Sequence, residues 1–195
     1  SRSSGYANGS VSVDWKTTKF DYDRGTKISV DVMDNEETMK IAFGKAGAEL
    51  MRTAVAPEAD AYTFAKLCEA AGNSAHGSLS QASDLLDALE EAKNTLDEAE
   101  VPAEERYLYL THTLHNTLLR LESYQNQGLI DAFAKVIAVP QSRFYSAIEL
   151  NDGSDSFGYQ KDEEDGFNLN FVIVHKPAVI KIDKHIANDI IPAAM

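Results

Sequence analysis

The chain has 195 residues, enough for one large domain or two small interleaved ones, and its apolar fraction of 44% supports a genuine core. It carries 31 acidic against 18 basic side chains, a formal charge of −13, with no lysine–arginine cluster to offset it, so sequence-specific nucleic-acid binding is not expected. A mean hydropathy of −0.31, with no apolar run approaching about 18 residues, leaves no candidate membrane span, and a single cysteine, Cys68, excludes an internal disulfide and fits a reducing compartment.

Over residues 10–16, Val11, Val13 and Trp15 alternate with Ser12, Asp14 and Lys16; over 27–32, Ile28, Val30 and Val32 alternate with Ser29 and Asp31. Period-two alternation predicts two half-buried strands, and Asp23-Arg24-Gly25 between them is a turn signal. The region therefore reads as a long hairpin with one polar face. An isolated hairpin is marginal in water, so this one needs a partner surface, on its own body or on a neighbouring subunit.

Asp34 or Asn35 caps the next helix, with Glu36 and Glu37 in the first turn, where the positive helix end favours them. Met39, Phe43, Ala46 and Leu50 form its apolar stripe. Pro57 is expected to restart the chain at a first-turn position. Ala61, Phe64, Leu67, Cys68 and Ala71 then make a second stripe, closed by Gly72. At that spacing Cys68 is a core thiol rather than a nucleophile.

The stretch 72–80 is a composition break and the first expected domain boundary. A third helix follows over 81–98, with Leu85, Leu89, Ala92 and Leu96 inward and Asp84, Asp87, Glu90, Glu91 and Asp97 as its solvated faces. Val101-Pro102 ends it, and 106–110 is a short strand. Thr111 or Thr113 caps a fourth helix carrying Leu114, Leu118 and Leu121. Residues 134–139 form a buried strand stopped by Pro140, 151–166 a polar loop, and 168–175, 178–182 and 185–191 three more strands, broken by Lys176-Pro177. The run 171–174 is likewise a buried strand by length. The class is α+β, without regular βαβ alternation.

Signals for chemistry are sparse. His112 and His115 lie three apart on a helix, so both could meet one metal ion, but zinc needs three or four ligands and no H-E-x-x-H or cysteine pair supplies the rest. A metal-binding or hydrolytic domain built on these histidines is the remote alternative. The acids between Asp152 and Asp165 lack the order of a calcium loop. No phosphate-binding, dinucleotide-binding or nucleophile-elbow motif occurs. No catalytic, cofactor-binding or metal residue is assigned, no cofactor is expected, and the chain is not expected to be an enzyme.

Several segments, in order, carry a resemblance: Trp15; Asp21-Tyr22-Asp23-Arg24-Gly25; Val30-Asp31-Val32-Met33-Asp34-Asn35-Glu36-Glu37-Thr38; Glu49-Leu50-Met51-Arg52-Thr53; and Pro57-Glu58-Ala59-Asp60-Ala61-Tyr62. Val101-Pro102-Ala103-Glu104-Glu105-Arg106-Tyr107, Val136-Ile137, Val139-Pro140-Gln141-Ser142-Arg143-Phe144 and Asn170-Phe171-Val172-Ile173-Val174-His175-Lys176 continue it over nearly the whole chain. Together they resemble the major capsid proteins of tailed bacteriophages, the Hong Kong 97-type fold, in phages and prophages of Gram-positive bacteria.

The resemblance implies an extended hairpin loop over 1–34 that lies across a neighbouring subunit. It further implies a peripheral domain with its spine helix over 35–72, an axial domain over 73–183, and a truncated return to the peripheral domain over 184–195. It implies a structural, self-assembling subunit of an icosahedral virion shell, built in the bacterial cytoplasm as pentamers and hexamers that enclose the DNA genome. Its partners would be copies of itself, with scaffolding protein, portal and maturation protease as further ones. Trp15, Lys16, Thr17, Thr18, Lys19 and Phe20 are the expected inter-subunit contacts. Some members of the family weld neighbours through a Lys–Asn bond; Lys16, Lys19 and Lys27 lie on the hairpin, but no flanking motif assigns that chemistry here. An encapsulin-like bacterial compartment shell shares the fold and is the nearest alternative.

Overall fold

A computed structural model of the chain describes residues 11–17, 19–25, 41–121, 127–154 and 156–182, without the side chains of Phe43 and Gln127. The chain divides into two compact units, Ser1–Ala42 and Phe43–Met195. In the first, residues 11–17 and 19–25 form neither helix nor strand, and apart from the half-buried Tyr22 they are exposed. The first limb of the expected hairpin is thus not a strand over its described residues. Alternation marks which side chains share a face, but a strand also needs a neighbouring backbone to bond to. The second limb at 27–32 and the cap at Asp34 or Asn35 lie outside the described residues.

Helix α1 (Ile41–Leu50) runs through a π-helical turn (Met51–Val55) directly into α2 (Ala56–Glu69). Pro57 stands in the first turn of α2, as expected, but the helical run enters α2 without a break. Proline lacks an N–H, and its ring crowds the carbonyl four residues back. The wider turn takes up that crowding: Ala56 N–H donates to Met51 O, and Val55 keeps helical dihedrals (φ −67°, ψ −50°). Thr53 Oγ1 donates to Glu49 O at 2.7 Å, a back-bond that also loosens a helix. Of the second stripe, Ala61 and Phe64 are buried, Leu67 and Cys68 half-buried, and Ala71 exposed beyond the helix end.

Residues 71–80 run without helix or strand but are tied to the body. Leu79 packs on the core, Asn170 Nδ2 donates to Gly77 O at 2.9 Å, and the His76 and Phe167 rings meet edge to face at 5.2 Å. Helix α3 (Ala82–Glu98) then starts where Gln81 N–H donates to Asp84 Oδ2 at 3.0 Å, and it buries Leu85 and Leu89. Strand β1 (Arg106–Thr111) leads into α4 (His112–Arg120), where the Thr111 hydroxyl accepts from Leu114 N at 3.3 Å. The short α5 (Gln127–Ile130) precedes β2 (Lys135–Val139).

The main sheet has the order β2-β1-β5, where β5 is Phe171–His175. β2 is parallel to β1 (Tyr107 opposite Lys135), as the intervening α4 crossover permits, and β5 is antiparallel to it (Tyr107 opposite Val174). Leu108 and Leu110, flanked by Val136, Phe171 and Ile173, face the helical Leu85, Leu89, Leu114 and Leu118 and, from the turn before β2, Phe133. Tyr109, Ile137, Val139 and Val172 face Phe64, Leu67, Phe144 and Leu169. The alternation of strand side chains thereby feeds two cores, one on each side of a single sheet.

The runs 136–139 and 171–174 are strands, at the two edges of the sheet that the described residues form, and only Val139 among them is fully buried. The polar loop expected at 151–166 contains a strand. β3 (Ile148–Leu150) pairs antiparallel with β4 (Tyr159–Lys161), and Asn168 bridges to Tyr145. No strand forms at 178–182. A 3-10 turn (Lys176–Ala178) takes the chain off the sheet, leaving Ile180 and Ile182 exposed and unpaired among the described residues. The strand expected at 185–191 lies outside the described residues. The class is α+β, and no helix of the described residues is long and apolar enough to cross a membrane.

Candidate functional site

Of the expected contact residues, Trp15 is 96% exposed and Phe20 about half exposed, with Lys16, Thr17 and Lys19 also in solvent; Thr18 lies outside the described residues. Val11 is 93% exposed, and with Val13 and Trp15 it continues the odd-numbered alternation. Burying about 200 Å² of an indole is worth roughly 5 kcal/mol as an upper bound, so this is apolar surface with a strong drive towards a partner. Asp14, Lys16 and Lys19 have no ion-pair partner among the described residues.

The second unit has an open cleft of about 630 Å³ between the π-helical turn with the start of α2 and the β3–β4 hairpin. Phe144, between the lining residues Arg143 and Tyr145, is fully buried and meets Phe64 of α2 edge to face at 4.8 Å. That contact places the preceding 3-10 turn (Gln141–Arg143) beside α2, where Arg143 Nη1 binds Asp60 Oδ2 at 3.0 Å. Tyr159 OH donates to Ser142 O at 2.6 Å and ties the hairpin to the same turn; burial holds its phenol above the usual tyrosine range. Gln160 Nε2 donates across the hairpin to Glu149 at 2.9 Å.

The hairpin tip is a built turn. Asp152 Oδ1 accepts from both Ser154 N (2.9 Å) and Ser154 Oγ (2.6 Å), and Gly153 has φ +87°. A Cβ at Gly153 would lie 3.2 Å from the Phe157 ring, so glycine serves both the left-handed backbone and the position of that ring. Phe157 is 79% exposed at the cleft, beside Tyr145, Pro57 and three cations. Arg52 is held by Glu49 at 2.6 Å and Arg143 by Asp60, whereas Lys161 has no carboxylate partner among the described residues. The site is thus aromatic, with one positive charge uncommitted among the described residues.

Other candidates do not converge. His112 is exposed and His115 half-buried, and among the described residues no group of three or more His, Cys, Asp or Glu could hold a metal ion. Asp87, Glu90, Glu91 and Glu98 line the outer face of α3 in solvent. Asp162 is used locally, its Oδ1 accepting from Glu164 N at 2.9 Å and Asp165 N at 2.8 Å. Cys68 is half-buried rather than core, and burial pushes its thiol up, away from the reactive thiolate. No protein-family model matches the chain, and no curated protein or solved structure matches it.

The cleft was not legible in the sequence. Its walls come from positions about a hundred residues apart, and β3 and β4 are three residues each, too short for alternation to stand out. The usable signal was the Gly-rich, Asx-type turn 151–158 between Ile148-Glu149-Leu150 and Tyr159-Gln160-Lys161.

Proposed function

We propose that this chain is a structural subunit of a self-assembling protein shell, of the tailed-phage capsid type with a Hong Kong 97-type fold. The observation that carries the reading is the apolar segment held in water: Val11, Val13, Trp15 and Phe20 are all more than half exposed. A monomer gains nothing from such a stripe, whereas a subunit that overlaps its siblings buries it. The order of the resembling segments supports the same reading, as does an α+β body with one sheet between helical layers. Charge is compatible too: a subunit at −13 does not adhere to the DNA it would enclose. Individually modest contacts suffice because a closed lattice sums them over many copies.

Electron microscopy of the purified full-length protein tests this directly, with rings, sheets or shells as the expected result. A chain that remains strictly monomeric at high concentration defeats the reading.

A further inference from the structure

We propose that the cleft beside Pro57 is the receptor for residues 11–17 of a second copy, with Trp15 seated against Phe157 and Asp14 paired with Lys161. This rests on the reading of the chain as a self-assembling subunit and adds the place where one copy grips the next. The two surfaces are complementary in chemistry. One offers an indole that is 96% exposed, next to a carboxylate with no ion-pair partner among the described residues. The other offers an exposed phenyl ring, two tyrosines and an ammonium without a carboxylate partner among the described residues, around a space of about 630 Å³, ample for an indole.

Aromatic pairs and cation–ring contacts each favour this seating, and an indole that enters the cleft gives up part of its exposed surface to the rings that line it. The other two cations of the cleft are already neutralised by Glu49 and Asp60, so Lys161 is the one that selects for an incoming acid. The contact joins different surfaces of the two copies. When each copy's segment enters a different neighbour the contact is heterologous, the type that generates rings or extended lattices; reciprocal exchange between two copies would close a twofold pair instead.

Trp15 is the only tryptophan, so its emission reports the contact without a label. On raising the full-length protein through its assembly concentration, followed by light scattering, the emission should move to shorter wavelength. Phe157→Ala and Lys161→Asp should each raise the concentration needed for assembly by about tenfold or more and suppress the spectral shift. Both altered residues are exposed, and circular dichroism confirms that each variant is folded. Pairing Lys161→Asp with Asp14→Lys reverses the charges and should restore both signals. In a Cys68→Ala background, mixing a Thr17→Cys copy with a Gln160→Cys copy should give a disulfide-linked dimer.

Assembly without a spectral shift, or with a shift that both single variants retain, overturns the proposed contact and leaves the shell reading standing. Constant scattering and unshifted emission at every concentration overturn both.

Discussion

Arg106 is the most heavily used single side chain of the body. It is 1% exposed at the first position of β1, and its guanidinium donates to Asp97 Oδ1 (2.7 Å), Pro102 O (3.0 Å) and Val101 O. A cation there satisfies carbonyls just beyond the C-terminus of α3, the end that favours positive charge, and locks the helix to the sheet. Arg106→Met keeps the bulk but leaves those carbonyls unpaired. Urea unfolding should show a loss of about 2–4 kcal/mol. Arg106→Lys should recover only part of it, because an ammonium cannot reproduce the fork.

Lys93 and Arg106 both donate to Asp97 and hold its carboxyl below the ordinary aspartate range. A carboxylate depressed by folding adds stability that is present above its unfolded value, about 3.9, and is lost as the pH falls through the folded one. Asp97→Asn should therefore flatten the stability profile on that acidic limb and leave the slope near neutrality unchanged. Denaturant midpoints measured from about pH 5 downwards check it.

Among the elements, α3 and α4 were the most legible. Residues 81–98 were expected as a helix, and the structure has Ala82–Glu98; the cap expected at Thr111 or Thr113 is Thr111. Long amphipathic repeats and side-chain caps are local signals, so they survive folding intact. Leu85 and Leu89 anchor α3 to the Leu108–Leu110 face of the sheet. Leu85→Ala should destabilise by about 3–5 kcal/mol, and Thr111→Ala by about 1 kcal/mol, both read from chemical denaturation. The strand misjudged at 178–182 has good alternation, but no neighbouring backbone among the described residues pairs with it. Pro57 marks the first turn of α2 as expected, while a widened turn lets the helical run continue into it without a break.

At the scale of the molecule, the second unit holds two cores, and among the described residues neither includes one before Phe64. Deleting residues 10–32 should therefore leave far-UV dichroism per folded residue and the melting midpoint of the body nearly unchanged, while abolishing assembly in micrographs. A deletion variant that still assembles refutes the contact role given to residues 15–20. The α+β class, the amphipathic helices α3 and α4, the Thr111 cap and the main strands followed from the sequence alone, because each depends on periodicity and capping within a few residues. The sheet order β2-β1-β5, the burial of Arg106 and the aromatic cleft were settled only by tertiary structure. Each joins groups distant in the chain, and no local pattern encodes which of many exposed edges and rings will meet.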